Sequence, residues 1–166
     1  MGNSQKQKQN QQVVYYNAQE EQKQLNFSFS NEANLVVNYE WNNITSKGAA
    51  ELCEGLSGCA KLSNLSLNLI GNTISAASIS SLFSPLENNQ ALSHLNVNLH
   101  ENNVTHSGAS SLCSELSKCS KLHSLNVYFN ASNFEEREKQ KLLAKYSKFN
   151  KLVQKQVIFT QIVINQ

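Results

Sequence analysis

The sequence lacks an apolar run approaching the roughly 18–20 residues of a membrane-spanning helix. It also lacks charge bias: 14 basic and 12 acidic side chains leave a net charge of +2, and only 16% of residues are charged. Such a balance does not select nucleic acid or acidic lipid as a partner. Catalytic patterns are missing: there is no HExxH, no P-loop glycine pattern and no pair of carboxylates at working spacing. Of the four histidines, His94 and His100 share a strand, about 20 Å apart at extended spacing, and His106 and His123 stand elsewhere. The chain therefore reads as no enzyme, with no catalytic residue, metal or cofactor. The opening stretch, MGNSQKQKQNQQ, has no hydrophobic segment and does not read as a secretory signal. It begins Met-Gly, but Lys6 stands where N-myristoylation wants Ser or Thr. A cytoplasmic chain with reduced thiols is expected.

What the sequence has in abundance is amide side chains, and it repeats. Shifted by 30, it lies on itself without gaps. Leu35, Leu65, Leu95 and Leu125 coincide, as do Val37, Leu67, Val97 and Val127. So do Leu52, Leu82, Leu112 and Leu142, and then Leu62, Leu92, Leu122 and Leu152. Within each unit the period changes. NLSLNL and HLNVNL alternate apolar and polar residues, the pattern of a half-buried strand. Ala49, Leu52, Cys53 and Leu56 then fall at i, i+3, i+4 and i+7, the buried stripe of a helix. Thr45, Ser75 and Thr105 stand at helix N-cap positions. The spacing predicts strands near 35–39, 65–69, 95–99, 125–129 and 155–159, and helices near 46–57, 76–87, 106–117 and 135–148.

Units of strand, loop and helix, with LSNLSLNLIGNTI (62–74) and LSHLNVNLHENNV (92–104) followed by GAAELCEGL and GASSLCSEL, resemble the leucine-rich repeat family. The match is to the ribonuclease-inhibitor-like class, over about residues 34–152. The resemblance implies an α/β solenoid of four repeats, with a parallel sheet on the concave side and helices on the convex side. It also implies a structural asparagine before the second apolar cluster: Asn42, Asn72 and Asn102, with Ser132 in the fourth unit. An amide there can satisfy backbone groups left unpaired where strand turns into helix. The fold alone says little of function, because such repeats serve many binding roles.

The cysteines follow from the repeat. Cys53 and Cys113 occupy the slot of Phe83 and Leu143, which marks them as small core hydrophobes. Cys59 and Cys119 share the slot of Asn89 and Phe149 at the helix end. Matching cysteines stand two repeats apart, beyond the roughly 7 Å Cα limit of a disulfide, so free thiols are expected.

Side-chain alternation sends three columns onto the concave face: Val36, Ser66, Asn96, Asn126; Asn38, Asn68, Asn98, Tyr128; and Glu40, Ile70, His100, Asn130. This face is polar and nearly uncharged. It reads either as a solvated, amide-laddered sheet or as a protein-binding surface, with Asn68, Asn98, His100 and Tyr128 as contacts. Trp41, the one tryptophan, shares a slot with Gly71, Glu101 and Ala131. Two readings stand for it, a binding hot spot and packing against the N-terminal segment.

The ends differ from the middle. Residues 1–24 read as a Gln/Asn-rich tail, disordered to about residue 12 and with a short helix over 13–25; residues 25–33 read as a capping segment, whose QLNFSFS (24–30) alternates like a strand. Repeats fill 34–152, and 153–166 form a C-terminal capping strand. The last helix, EEREKQKLLAKYSKFNK (135–151), gathers Arg137, Lys139, Lys141, Lys145, Lys148 and Lys151. After it QVIFTQIVINQ runs through Ile162 and Ile164 with neither proline nor helix to protect its edge. The functional expectation is a protein-binding scaffold subunit of a larger assembly, cytoskeletal or ciliary, with a protein partner. The partner is met through the C-terminal edge and the basic face of Lys141, Lys145 and Lys148. One alternative is a free regulatory binder acting through the concave face. Another is a binder of acidic surfaces or nucleic acid through the last helix, although no aromatic interleaving accompanies its charge.

Overall fold

The computed structural model describes residues 13–17, 29, 33–149 and 154–160. Six strands form one parallel sheet in sequence order: β1 (Val13–Asn17), β2 (Asn34–Asn38), β3 (Asn64–Asn68), β4 (His94–Asn98), β5 (Ser124–Asn130) and β6 (Gln154–Thr160). Four helices alternate with β2 to β6: α1 (Ser46–Ser57), α2 (Ala76–Phe83), α3 (His106–Leu116) and α4 (Glu136–Ser147). Each helix packs beside the next. The predicted register holds: Leu35 faces Leu65, Leu65 faces Leu95, and Leu95 faces Leu125. In every inner strand the same parity is buried, so all helices cover one face of the sheet and leave the other open.

The core is the stack of equivalent side chains. Leu35, Leu65, Leu95 and Leu125 are each at most 2% exposed, and Leu52, Leu82, Leu112 and Leu142 meet them from the helices. Burying one such side chain contributes about 1.5–3 kcal/mol. No repeat can bury its own stripe alone, so stability comes from stacking.

Departures from the expected pattern have local causes. Val13–Asn17 are a strand, not part of a helix, and pair in parallel with β2 from Val13 against Asn34. Two β-branched and two aromatic residues in a row favour the pleated surface over the helix. This strand flanks the sheet at its N-terminal side. The rest of the expected N-terminal cap lies outside the described residues, except Phe29, which packs against the core. The disorder expected of residues 1–12 lies outside them as well. Helix α2 stops at Phe83 and continues as a 3-10 turn over Ser84–Asn88. Pro85 has no N–H to give Ser81, and the Ser84 hydroxyl bonds that carbonyl instead at 3.2 Å. Thr45, Ser75 and Thr105 do stand at N-caps with extended backbone, but none caps its helix through its side chain. Helix α4 alone has a capping box, formed by Glu135 and Glu138.

Strand β5 runs two residues longer than its predecessors. In β3 and β4 the closing Asn68 and Asn98 accept, at 3.4 and 3.2 Å, from the backbone N–H two residues on, folding the chain into a turn. Tyr128 cannot do this, so the strand continues to Asn130, whose Oδ1 accepts from the Ser132 N–H.

Helices α2 and α3 approach each other closely at Gly108 and Ala76. A Cβ on Gly108 would stand 2.8 Å from Ala76 Cα and 3.0 Å from its Cβ. Gly108→Ala is therefore expected to destabilise the fold by roughly 1–3 kcal/mol. Gly58→Ala, where a Cβ meets only Gly55 O at 3.8 Å, is expected to be neutral or slightly stabilising. Urea denaturation of the two variants checks the contrast.

Candidate interaction surfaces

The turns after β3 and β4 enter the interior with unpaired backbone groups, and two asparagines meet them identically. Asn72 Nδ2 donates to Tyr39 O at 2.8 Å, Leu69 O at 2.9 Å and Ile70 O at 3.2 Å, while its Oδ1 accepts from Ile44 N–H at 2.8 Å. Asn102 repeats the set with Leu69, Leu99 and His100 carbonyls and Ile74 N–H. Both are buried, at 5% and 6% exposure. Among the described residues Asn42, half-buried, donates to Glu40 O in its own turn and makes no bond to another unit. In the fourth unit no amide repeats this set among the described residues: Ser132 N–H and Oγ donate to Asn130 Oδ1, and Asn133 donates to Asn102 O and to Val104 O, the counterpart of the Ile44 O to which Thr73 donates. The later turn after β5 accounts for this difference.

The open face carries the first two expected columns on its strands, and its amides bond one another. Asn68 Nδ2 donates to Asn38 Oδ1 at 3.0 Å and Glu40 Oε2 at 2.7 Å. Asn96 Nδ2 donates to Ser66 Oγ at 3.2 Å, and Asn64 Nδ2 to Asn34 Oδ1 at 2.5 Å. Register brings Asn68, Asn98 and Tyr128 side by side. His100, expected on this face as a contact, is instead 3% exposed, and burial lowers its pKa against the opposing pull of Glu101. The strand has ended at Asn98, so the alternation that pointed His100 outward no longer applies at its turn. A groove of about 350 Å³ crosses the face near Asn34, Ser66, Asn96 and Asn126. Asn34 Nδ2 and Asn96 Oδ1 are buried there without a partner.

Trp41 is 61% exposed, with φ +56°. Its slot is left-handed in three successive repeats: Gly71 has φ +65° and Glu101 φ +52°. Gly71, the one residue suited to this conformation, was the available signal, and it escaped the sequence reading.

On α4, Lys141 and Lys148 are exposed but Lys145 is not free. Its Nζ donates to Ser110 O and Ser110 Oγ, both at 2.7 Å, and to Ser114 Oγ at 3.0 Å, tying α4 to α3. Lys139 pairs with Glu136 at 3.6 Å. Beside them a cleft of about 490 Å³ opens between α3 and α4, lined by Cys113, Lys118, Lys145, Lys148 and Phe149 among others. Lys118 bridges Glu87 and Glu115 at 2.7 and 2.8 Å. Strand β6 pairs with β5 in the expected register, Val157 to Val127 and Phe159 to Phe129. Phe129, Phe134 and Phe159 cluster with centroids 5.1–5.9 Å apart. Ile162 and Ile164 lie outside the described residues.

All four cysteines are free. Cys59, Cys113 and Cys119 are buried, whereas Cys53, expected in the core, is half-buried. Burial raises the thiol pKa of Cys113 and of Cys119 to about 11. Among the described residues no group of three His, Cys, Asp or Glu side chains could hold a metal, and no helix is long and apolar enough to cross a membrane.

Two measurements check these placements. Asn72→Ala strips partners from several buried backbone groups and is expected to cost roughly 2–4 kcal/mol, against less than about 1 kcal/mol for Asn42→Ala; chemical denaturation resolves the difference. In the folded protein Cys53 is expected to alkylate first and Cys113 and Cys119 slowly. Because the folded thiols hold their protons more tightly than unfolded ones, stability should fall as pH rises from about 9 towards about 11. Mass-resolved alkylation and unfolding curves across that range test both points.

No family model matches the chain, and no curated protein matches it. Among solved structures it is similar to leiomodin-1 actin-binding site 2 (ABS2), with TM-score 0.58 at 15% identity, over 77% of this chain and 71% of that one. Parallel strands in register, one helix per repeat and a buried asparagine at successive turns agree with that likeness: the fold is a leucine-rich repeat solenoid.

Proposed function

We propose that the chain is a non-catalytic protein–protein interaction module, a small scaffold subunit that joins a larger assembly through its C-terminal end. The observation that carries this reading is β6. It is the last strand of the sheet, bonded to β5 on one side. Among the described residues no strand pairs with its other side, and Gln156 is exposed beside half-buried Val157 and Ile158. Such an edge is a template for a strand or a stacked surface from another chain. Exposed Arg137, Lys141 and Lys148 on the neighbouring helix give the contact a basic margin. The open face ranks second, because many of its amides already bond one another. The cytoskeletal or ciliary setting is part of this proposal; because the similar fold of leiomodin-1 is named an actin-binding site, actin is one partner to assay.

A second reading, a free regulator acting through the open face, is favoured by the unpartnered Asn34 Nδ2 and Asn96 Oδ1 in the groove. One experiment separates the two. Capture from native cells is compared for the full chain, a deletion of residues 160–166, and the triple variant Asn68→Ala, Asn98→Ala, Tyr128→Ala. The deletion is expected to lose the partner and the triple variant to keep it at fixed stoichiometry. The opposite result moves the contact to the open face.

A further inference from the structure

We propose that Trp41 is a docking platform for a cationic side chain, an arginine presented by a protein partner. Trp41 and Leu143 are the large hydrophobic residues left exposed among the described residues. Leu143 sits on a helix surface, where a single exposed leucine is ordinary. Trp41 is held in a left-handed backbone conformation that side-chain-bearing residues disfavour. Its N–H donates to Ile70 O at 2.8 Å, which anchors the turn. The six-membered ring lies directly over Gly71: a Cβ there would overlap Cδ2 and Cε3. One ring face is thus seated on backbone, and with 61% of the residue exposed the other is open to a ligand. A strained residue on a fitted seat, offering an aromatic face to solvent, suits recognition better than packing.

The charge beside the ring selects the ligand. Leaning over slot 71, the indole comes within about one strand spacing, 5 Å, of slot 101, which Glu101 occupies with the same left-handed turn. Glu101 Oε1 accepts from the neutral amide of Asn130 in the following repeat at 3.1 Å, and no Lys or Arg pairs with this carboxylate among the described residues. A guanidinium stacked on the indole would compete with that amide for the carboxylate by drawing it back across slot 101. Arginine suits this arrangement better than lysine, because its planar fork can stack and pair at once.

The proposal rests on the reading of the chain as an interaction module, but on a surface remote in sequence from β6. Its test uses the single tryptophan, which gives one indole N–H resonance in a ¹⁵N-labelled sample. The full chain is titrated with Ac-Gly-Arg-Gly-amide and with the same peptide carrying citrulline, which is planar but neutral. The arginine peptide is expected to move the indole resonance saturably, with the citrulline peptide about two- to fivefold weaker. Glu101→Gln, folded by its amide dispersion, should weaken the arginine peptide by a similar factor and leave the citrulline response unchanged. Equal response to both peptides, no response, or indifference to Glu101→Gln would overturn the platform. A flat titration leaves the β6 contact standing, whereas a native capture that returns no partner defeats the module reading and leaves the titration interpretable.

Discussion

The buried amide at the turns after β3 and β4 is the constraint on which the rest depends. A parallel strand must leave the sheet and cross to the helix layer, and the crossing carries carbonyls and N–H groups into a region without water. Asn72 and Asn102 meet three carbonyls and one N–H apiece, reaching into their own turn and the one before. Because the bonds span adjacent repeats, they set the register of the sheet and the stacking of the helices together. The hydrophobic columns then close around that frame. Leucines alone tolerate a slip; an amide with four bonds in fixed directions does not.

A second layer of polar bonding runs along the outside of this frame. Ser63 and Ser93 hydroxyls donate back to Ala33 O and Ser63 O one repeat earlier. At the helix ends Asn89 Nδ2 reaches Cys59 O, and Cys119 Sγ reaches Leu86 O. A cysteine and an asparagine therefore serve equivalent slots by the same means, a donor aimed at the preceding unit. In the third repeat the pair of cysteines is structural in this sense: Cys113 is buried in the helix packing and Cys119 helps to close the return loop, whereas in the first repeat Cys59 donates to Gly55 O of its own helix.

The fold was legible because four units obey one period, so each ambiguous residue could be judged by its counterparts. Strand registers, helix positions and the roles of Asn72 and Asn102 follow from that comparison. The parts that were not legible are those where a unit stands alone. Val13–Asn17 has no counterpart at the repeat spacing, so its amide-rich surroundings obscured a short β-prone run. His100 was assigned by alternation one residue pair beyond the point where the strand ends. Lys145 looked like solvent-facing charge because a sequence cannot show three oxygens of a neighbouring helix converging on one ammonium. Trp41 looked like an outlier in a variable slot, when the slot is defined by backbone conformation and not by side-chain type.

With Tyr128 in place of the asparagine of earlier repeats, β5 is longer, the turn comes later, at Asn130, and no amide repeats the inner set of bonds among the described residues. The array is thereby modular between β3 and β4 and less so at the turn after β5. A copy of the unit between β3 and β4 would find, on either side, the donors and acceptors it already uses. A copy placed after β5 would keep the 30-residue strand register, which β6 already follows, but its turn would lie beside the later one that begins at Asn130. Duplication of a unit is thus matched bond for bond between β3 and β4 and is not matched at the turn after β5.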